Sequence, residues 1–309
     1  KGPTLLIERG ANHSAYPQAS VRQGYPQIAA MTYEQLKNQG SGHFTGTPNI
    51  LGGGSALGGG TCWRADANSF LSLGLDFQSV ENAFQFLEKS LCRPVGKTDF
   101  SDTFVSAMGD MGMDVIETSS GQASWAQKNL SGSVQIARSI MPSSGENRRT
   151  ASSLFEIPVA TDDTSIMDQG NLTVYLLSKV KDVMFNGAKE AIGVNVQSPA
   201  GSVAVFVRET GKIFLNAGAY ETPKLLMLSG IGPSQILSKY NIPVVVENQH
   251  VGQHLLEKKK FSFEVPSFQN IDGDDTNVFD AVAFNKDYLM SLANKFIPEW
   301  SNALDGCSL

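Results

Sequence analysis

The residues whose types and spacing could do chemistry are glycines, small residues and one carboxylate. Leu51-Gly52-Gly53-Gly54-Ser55-Ala56-Leu57-Gly58-Gly59-Gly60-Thr61 is the most biased segment of the chain. Consecutive glycine N–H groups can cradle anionic oxygens without steric penalty, although such a stretch taken alone is equally a flexible linker. Lys212-Ile213-Phe214-Leu215-Asn216-Ala217-Gly218 reads as a buried strand. Its small terminal residues would let a planar ligand approach the backbone at the carboxyl edge of a sheet, where α/β folds bind cofactors. Glu8 closes the apolar run Thr4-Leu5-Leu6-Ile7. A carboxylate there either accepts hydrogen bonds from ribose hydroxyls or simply faces solvent. Hydrolase chemistry is not indicated, because Gly54-Ser55-Ala56 is no Gly-x-Ser-x-Gly elbow.

These groups need elements to hold them. Thr4–Glu8 fits a strand buried on both faces, as in a parallel sheet. Ile28, Met31 and Leu36 predict a helix over 28–39, stopped by Gly40. Residues 43–65 are too glycine-rich for a helix or strand interior and read as loop. Val80, Phe84, Leu87 and Leu91 give an amphipathic helix over 79–91 with Ser79 as its N-cap, and 103–113 is a candidate second helix. The Ser- and Gly-rich stretch 118–145 reads mostly as loop. Leu172–Leu177, Val180–Phe185, Ala191–Val196 and Val203–Val207 predict a meander of antiparallel strands, turning at Asn186-Gly187 and Pro199-Ala200-Gly201. After the 212–218 strand, Glu221–Ser229 reads as a helix with Pro223 in its first turn and Gly230 past its end. Pro243–Val246 reads as a strand and Phe284–Phe296 as a helix.

Gly218-Ala219-Tyr220-Glu221-Thr222-Pro223-Lys224-Leu225-Leu226-Met227-Leu228-Ser229-Gly230-Ile231-Gly232 matches, position by position, the second signature of the glucose–methanol–choline (GMC) oxidoreductases. Residues 51–61 resemble that family's first signature, the loop along the FAD pyrophosphate and flavin. Gly58 stands there in place of the usual Asn, and Pro48 and Cys62 also depart from the pattern. The resemblance covers about residues 4–260. It implies an α/β fold: an FAD/NAD(P)-binding Rossmann-like domain with an interleaved β-rich substrate-domain portion. The discontinuous FAD-binding domain is expected over 1–255, including a β-meander at about 172–208, and the start of a substrate-binding domain over 256–309. It implies FAD held by Glu8, Leu51, Gly52, Gly53, Gly54, Ser55, Gly58, Gly59, Thr61, Val180, Ala217 and Gly218. Some members tether FAD through a His at the position of Leu57, and leucine cannot form that bond, so FAD is expected to be non-covalent. Arg148-Arg149-Thr150 resembles a family segment read as structural.

The expected reaction is oxidation of the CH–OH group of a small-molecule alcohol, with hydride passing to flavin N5 and oxygen or another acceptor reoxidising it. A hydroxynitrile lyase of the same fold and a catalytically inert fragment are the alternatives. The family's catalytic His is expected beyond residue 309 and its Gly-x-Gly-x-x-Gly turn before residue 1; none of His13, His43, His250 and His254 is nominated as a base. A formal charge of -6, from Lys+Arg 24 and Asp+Glu 30, offers no footprint for a nucleic acid. The apolar runs are too short to span a membrane. Cys62, Cys92 and Cys307 are odd in number and lack C-x-x-C spacing, which points to neither a disulfide framework nor a zinc site. The sequons at Asn12, Asn129 and Asn171 do not by themselves establish secretion.

Overall fold

Leu6 and Ile7 face opposite sides of the first strand, as the two-residue period of a pleat requires, and each side-chain row organises a separate core. The computed structural model describes residues 2–12, 33–36, 45–57, 60, 62, 70–95, 97–116, 132–135, 138–140, 148–155, 166–169, 171–256, 281–284 and 289–292. Leu6 packs with Leu51, Val174, Leu176 and Leu172. Ile7 packs with Val183, Val194 and Val196, joined by Val180, Phe185 and Val205. The strand β1 (Thr4–Ile7) thus joins a sheet to a meander.

In chain order, β2 (Tyr33–Leu36) and β3 (Thr45–Pro48) pair antiparallel. The short helix α1 (Gly54–Leu57) follows, then α2 (Phe77–Leu91), β4 (Arg93–Pro94), α3 (Asp99–Asp110), β5 (Asp114–Val115), β6 (Gly132–Gln135) and β7 (Arg138–Ser139). A 3-10 turn, Ala151–Phe155, precedes β8 (Ile166–Gln169), β9 (Leu172–Tyr175), β10 (Lys179–Phe185), β11 (Ala191–Ser198) and β12 (Gly201–Phe206). Then come α4 (Gly218–Leu228), β13 (Ile231–Gly232), α5 (Ser234–Lys239), β14 (Val246–Glu247), β15 (Ala281–Phe284) and β16 (Leu289–Leu292). The first strand pairs parallel with β9, from Thr4 opposite Leu172 to Ile7 opposite Tyr175, and β9 pairs antiparallel with β8. The meander is β10-β11-β12, and a separate four-stranded sheet runs β16-β15-β6-β5 with α3 against it. Mixed sheets flanked by helices make this the expected α/β class.

Several expectations fail for identifiable reasons. The helix over 28–39 is not formed at Tyr33–Leu36, which is a strand; pairing with Thr45–Pro48 overrides a three-residue apolar spacing. The glycine-rich segment does contain a helical turn, Gly54–Leu57, begun by Gly52 and Gly53 at φ +98 and +51. The 79–91 helix starts earlier, with Asp76 rather than Ser79 as its N-cap: Asp76 accepts the Ser79 N–H at 2.9 Å. Hydrogen bonds from the Ser79 side chain and then from its N–H lower the Asp76 pKa. The second helix lies at 99–110, started by the reciprocal Thr98–Ser101 cap. Strands β6 and β7 interrupt the loop expected over 118–145. Leu172–Tyr175 belongs to the parallel pair, leaving three strands in the meander. Asn186 closes the first meander turn as expected, its Oδ1 accepting from Ala188 and Glu190.

Lys212–Gly218 is no strand and is largely exposed; Ile213 and Leu215 lean on the meander core, but the segment finds no ladder partner among the described residues. Helix α4 begins at Gly218, which puts Pro223 at its sixth position, beyond the first turn. Of the expected 243–246 strand only Val246 pairs, in a two-residue strand Val246–Glu247 that lies parallel to Ile231–Gly232. The expected 284–296 helix is contradicted by Leu289–Leu292, a strand paired with Ala281–Phe284. The Lys258 run, His13 and His43 lie outside the described residues.

Cys62 and Cys92 form a disulfide, contrary to the count-based reading. Tertiary structure brings them together: Ser139 pairs with Arg93, next to Cys92, and the Ser139 hydroxyl and Ile140 N–H both donate to the Gly60 carbonyl. The bond ties the glycine-rich segment to the C-terminus of α2.

Two stability outcomes follow from this packing. For a sequence separation of 30 residues, loop-entropy arithmetic assigns the disulfide roughly 3–4 kcal/mol. Cys62→Ser should lower the unfolding free energy by about that amount in urea titration, with no effect of added reductant on the variant. Gly10→Ala should cost about 3 kcal/mol or more in the same assay, because a Cβ at Gly10 would stand 2.2 Å from the Asn49 carbonyl carbon.

Candidate functional site

A short carboxylate-bearing turn follows β1 and leans on three other segments. The Glu8 N–H donates to Tyr175 and its carbonyl accepts from Ser178, while the Gly10 carbonyl accepts from Leu177. On the other side Ala11 and Ile50 form a parallel bridge, and Leu51 N–H donates to the Ala11 carbonyl at 2.8 Å. Only glycine permits this approach, since the backbone of Asn49 and Ile50 occupies the space of a Gly10 side chain. The glycine-rich segment is thereby pinned beside Glu8.

That segment is held in a fixed shape. Gly53, Ser55 and Ala56 donate back to Ile50, Gly52 and Gly53. The Ser55 hydroxyl donates to Gly52 and accepts from Ala151 N–H at 2.8 Å, and the Ser55 carbonyl accepts from Arg148 Nε at 2.9 Å. Arg148 and Thr150 are fully buried under the loop, so the Arg148-Arg149-Thr150 segment has the structural role expected of it. Leu51 is a core residue of the Leu6 cluster, so its side chain is spent on packing and its backbone is what it presents to the loop.

The second glycine signature arrives through α4. Its C-terminal Ser229 accepts the Val183 N–H at 2.8 Å and donates to Leu225, lashing the helix to β10. Near its N-terminus Glu221 meets Arg9 at 4.0 Å, and Arg9 also donates to Thr47 of β3. Arg9 therefore links the turn after β1 to β3, just ahead of the glycine-rich segment, and to the second signature. Ala217 supplies no side-chain cap, and Gly218 has φ +91 with open space where a Cβ would stand. Gly53, at φ +51, and Gly54 are likewise open. Val180 is half-buried on the Ile7 core. Of the residues named from sequence, Gly58, Gly59 and Thr61 lie outside the described residues.

The electrostatics single out Glu8. Burial raises its pKa above the ordinary carboxylate value, against the opposing pull of the Gly10 N–H, bonded to Oε1 at 2.7 Å, and of Arg9. Asn49, whose main chain lies against Gly10, has in its Oδ1 a buried acceptor without a hydrogen-bond partner among the described residues. A largely buried carboxylate suits a ligand rich in hydroxyl donors, and open glycines nearby suit an anionic one. These features fit a flavin dinucleotide. Arg9, Gly10 and Asn49 were not singled out from sequence; a glycine two residues after the closing carboxylate was the available signal. His250 and His254 are exposed, with rings 5.9 Å apart, and nothing places them at this site.

Known proteins give the same picture. The family model described as GMC oxidoreductase matches residues 11–258. The sinalpyl alcohol oxidase Nec3 of Nesocodon mauritianus is 29% identical over 275 residues, covering 84% of this chain and 46% of that protein. (R)-mandelonitrile lyase 1 of Prunus serotina is 25% identical, covering 82% and 44%. Among solved structures, pyridoxine 4-oxidase from Mesorbium loti superposes with a TM-score of 0.61 at 20% identity, covering 79% of this chain and 50% of the other. The chain spans about half the length of these relatives. With its two glycine signatures gathered at the end of β1 and four-fifths of its length matched by the family model, the chain belongs to the GMC oxidoreductase family.

Proposed function

We propose that this chain is the cofactor-holding portion of an FAD-dependent oxidoreductase acting on the CH–OH group of a small-molecule alcohol. The observation that carries the reading is the convergence of Glu8, the 51–55 segment and the N-terminus of α4 on the turn after β1, with Arg9 touching Thr47 of β3 and Glu221 of the second signature. When bound, FAD would supply the hydride acceptor, N5 of the flavin, and oxygen or another carrier would take the electrons onward.

Glu8 accepts ribose hydroxyls through the oxygen not engaged by Gly10, and Asn49 Oδ1 supplies a second buried acceptor. The backbone of Gly52, Gly53 and Gly54, with Gly58, Gly59 and Thr61 following, and of Ala217 and Gly218 cradles the pyrophosphate and flavin, with Leu51 and Ser55 fixing the loop. The backbone of Val180 would pair with the adenine. Leu57 offers no nucleophile, so FAD is held non-covalently. The FAD-binding domain takes up 1–255 discontinuously, and 256–309 begins the substrate domain; β15 and β16 share their sheet with β5 and β6, as such interleaving requires. The mandelonitrile lyases among the relatives keep a lyase of the same fold as the second reading.

Anaerobic mixing of the full-length flavoprotein with primary and secondary alcohols should bleach the flavin; cyanohydrin cleavage with the flavin unchanged would establish the lyase instead. Gly53→Val should weaken FAD binding about tenfold or more, a loss of roughly 1.4 kcal/mol, in a fluorescence-quenching titration, with the circular dichroism spectrum preserved. Glu8 adds a pH dependence. Because its folded pKa is raised, its contribution to stability is complete below the unfolded pKa and is lost as pH rises through the folded one. Without FAD, thermal stability should therefore decline over that interval. Glu8→Gln should remove the decline while weakening FAD binding, and a variant that kept full affinity would refute the ribose role.

A further inference from the structure

We propose that Asn171 carries an N-linked glycan, added as the chain matures in an oxidising secretory compartment. Asn171-Leu172-Thr173 satisfies the N-x-[ST] rule with a non-proline middle residue. Such a tripeptide alone is weak, and its position gives it weight. Asn171 is exposed in the turn that starts β9, and its main-chain carbonyl accepts the Thr4 N–H at 2.7 Å, so the backbone is fixed while the residue stays open to solvent. Asn12, by contrast, is half-buried beside the Ala11–Ile50 bridge.

The sheet register sets the distance from the candidate site. Thr4 pairs with Leu172 at the Asn171 end and Ile7 with Tyr175 at the Glu8 end. Three residue steps along a parallel strand span about 10 Å, and the two ends point in opposite directions. A bulky sugar at Asn171 therefore leaves the turn at Glu8–Ala11 uncovered.

The second, independent observation is the Cys62–Cys92 disulfide. Structural disulfides persist where the surroundings are oxidising and are rare where thiols are kept reduced, and the compartments that oxidise cysteines in eukaryotic chains also glycosylate them. The donor is an oligosaccharide linked to a polyprenyl pyrophosphate. Asn171 Nδ2 forms a bond to C1 of the first sugar, the C1–O bond to the pyrophosphate breaks and its electron pair leaves with that group, and the amide loses one proton. Nothing is oxidised or reduced in this step.

The test is a non-reducing peptide map of the protein purified from its natural source, with and without peptide N-glycosidase. The expected result is a glycan-bearing peptide at Asn171 in which the enzyme leaves an aspartate at that position, together with a Cys62–Cys92 linked pair. On gels, Asn171→Gln and Thr173→Ala should each lose the glycosidase-sensitive mass shift and Thr173→Ser should keep it. Unmodified Asn171 in disulfide-linked protein overturns the proposal, as does unmodified Asn171 with free thiols at Cys62 and Cys92.

Discussion

The contact between Gly10 and the backbone of Asn49 and Ile50 is the constraint on which the site depends. With a hydrogen in place of a side chain, the turn after β1 lies directly against the start of the glycine-rich segment, and the Ala11–Ile50 bridge forms. On its other side the same turn is fixed to residues 175–178 by three main-chain hydrogen bonds. Four residues of backbone thus hold together a parallel sheet, a glycine loop and the entry to the meander. A methyl group at Gly10 would have to separate the first two.

Around this contact, rigidity and openness are divided between residues. Arg148, Ala151 and the Cys62–Cys92 bond hold the loop, the first two through hydrogen bonds to Ser55 and the last through a covalent link. Gly53, Gly54 and Gly218 leave space on their open sides. Glu8 is held where burial penalises its charge, a cost that a hydroxyl-bearing ligand would offset by hydrogen bonding to the carboxylate. A site that is strained when empty and relieved when filled couples ligand binding to stability.

Most of the expectations that failed asked a local pattern to decide a question of pairing. Tyr33–Leu36 and Leu289–Leu292 carry apolar residues at spacings a helix accepts, and each becomes a strand because another strand lies alongside. Residues 212–218 have the composition of a strand and no ladder partner among the described residues. Cys62 and Cys92 look unrelated in sequence and are joined because β4 and β7 bring their neighbours to Ser139.

The sequence by itself determined the α/β class, the parallel character of β1, the meander turns at Asn186-Gly187 and Gly201, and both glycine signatures, because each is written in residues whose backbone preferences act locally. Tertiary structure alone decided that Gly10 lies against the backbone of Asn49 and Ile50, that Leu51 enters the Leu6 core and Ser55 braces the loop, that Arg9 reaches both β3 and Glu221, and that Asn49 is a buried acceptor. Those roles depend on which atoms lie within a few ångströms after distant segments meet. No local pattern encodes such distances.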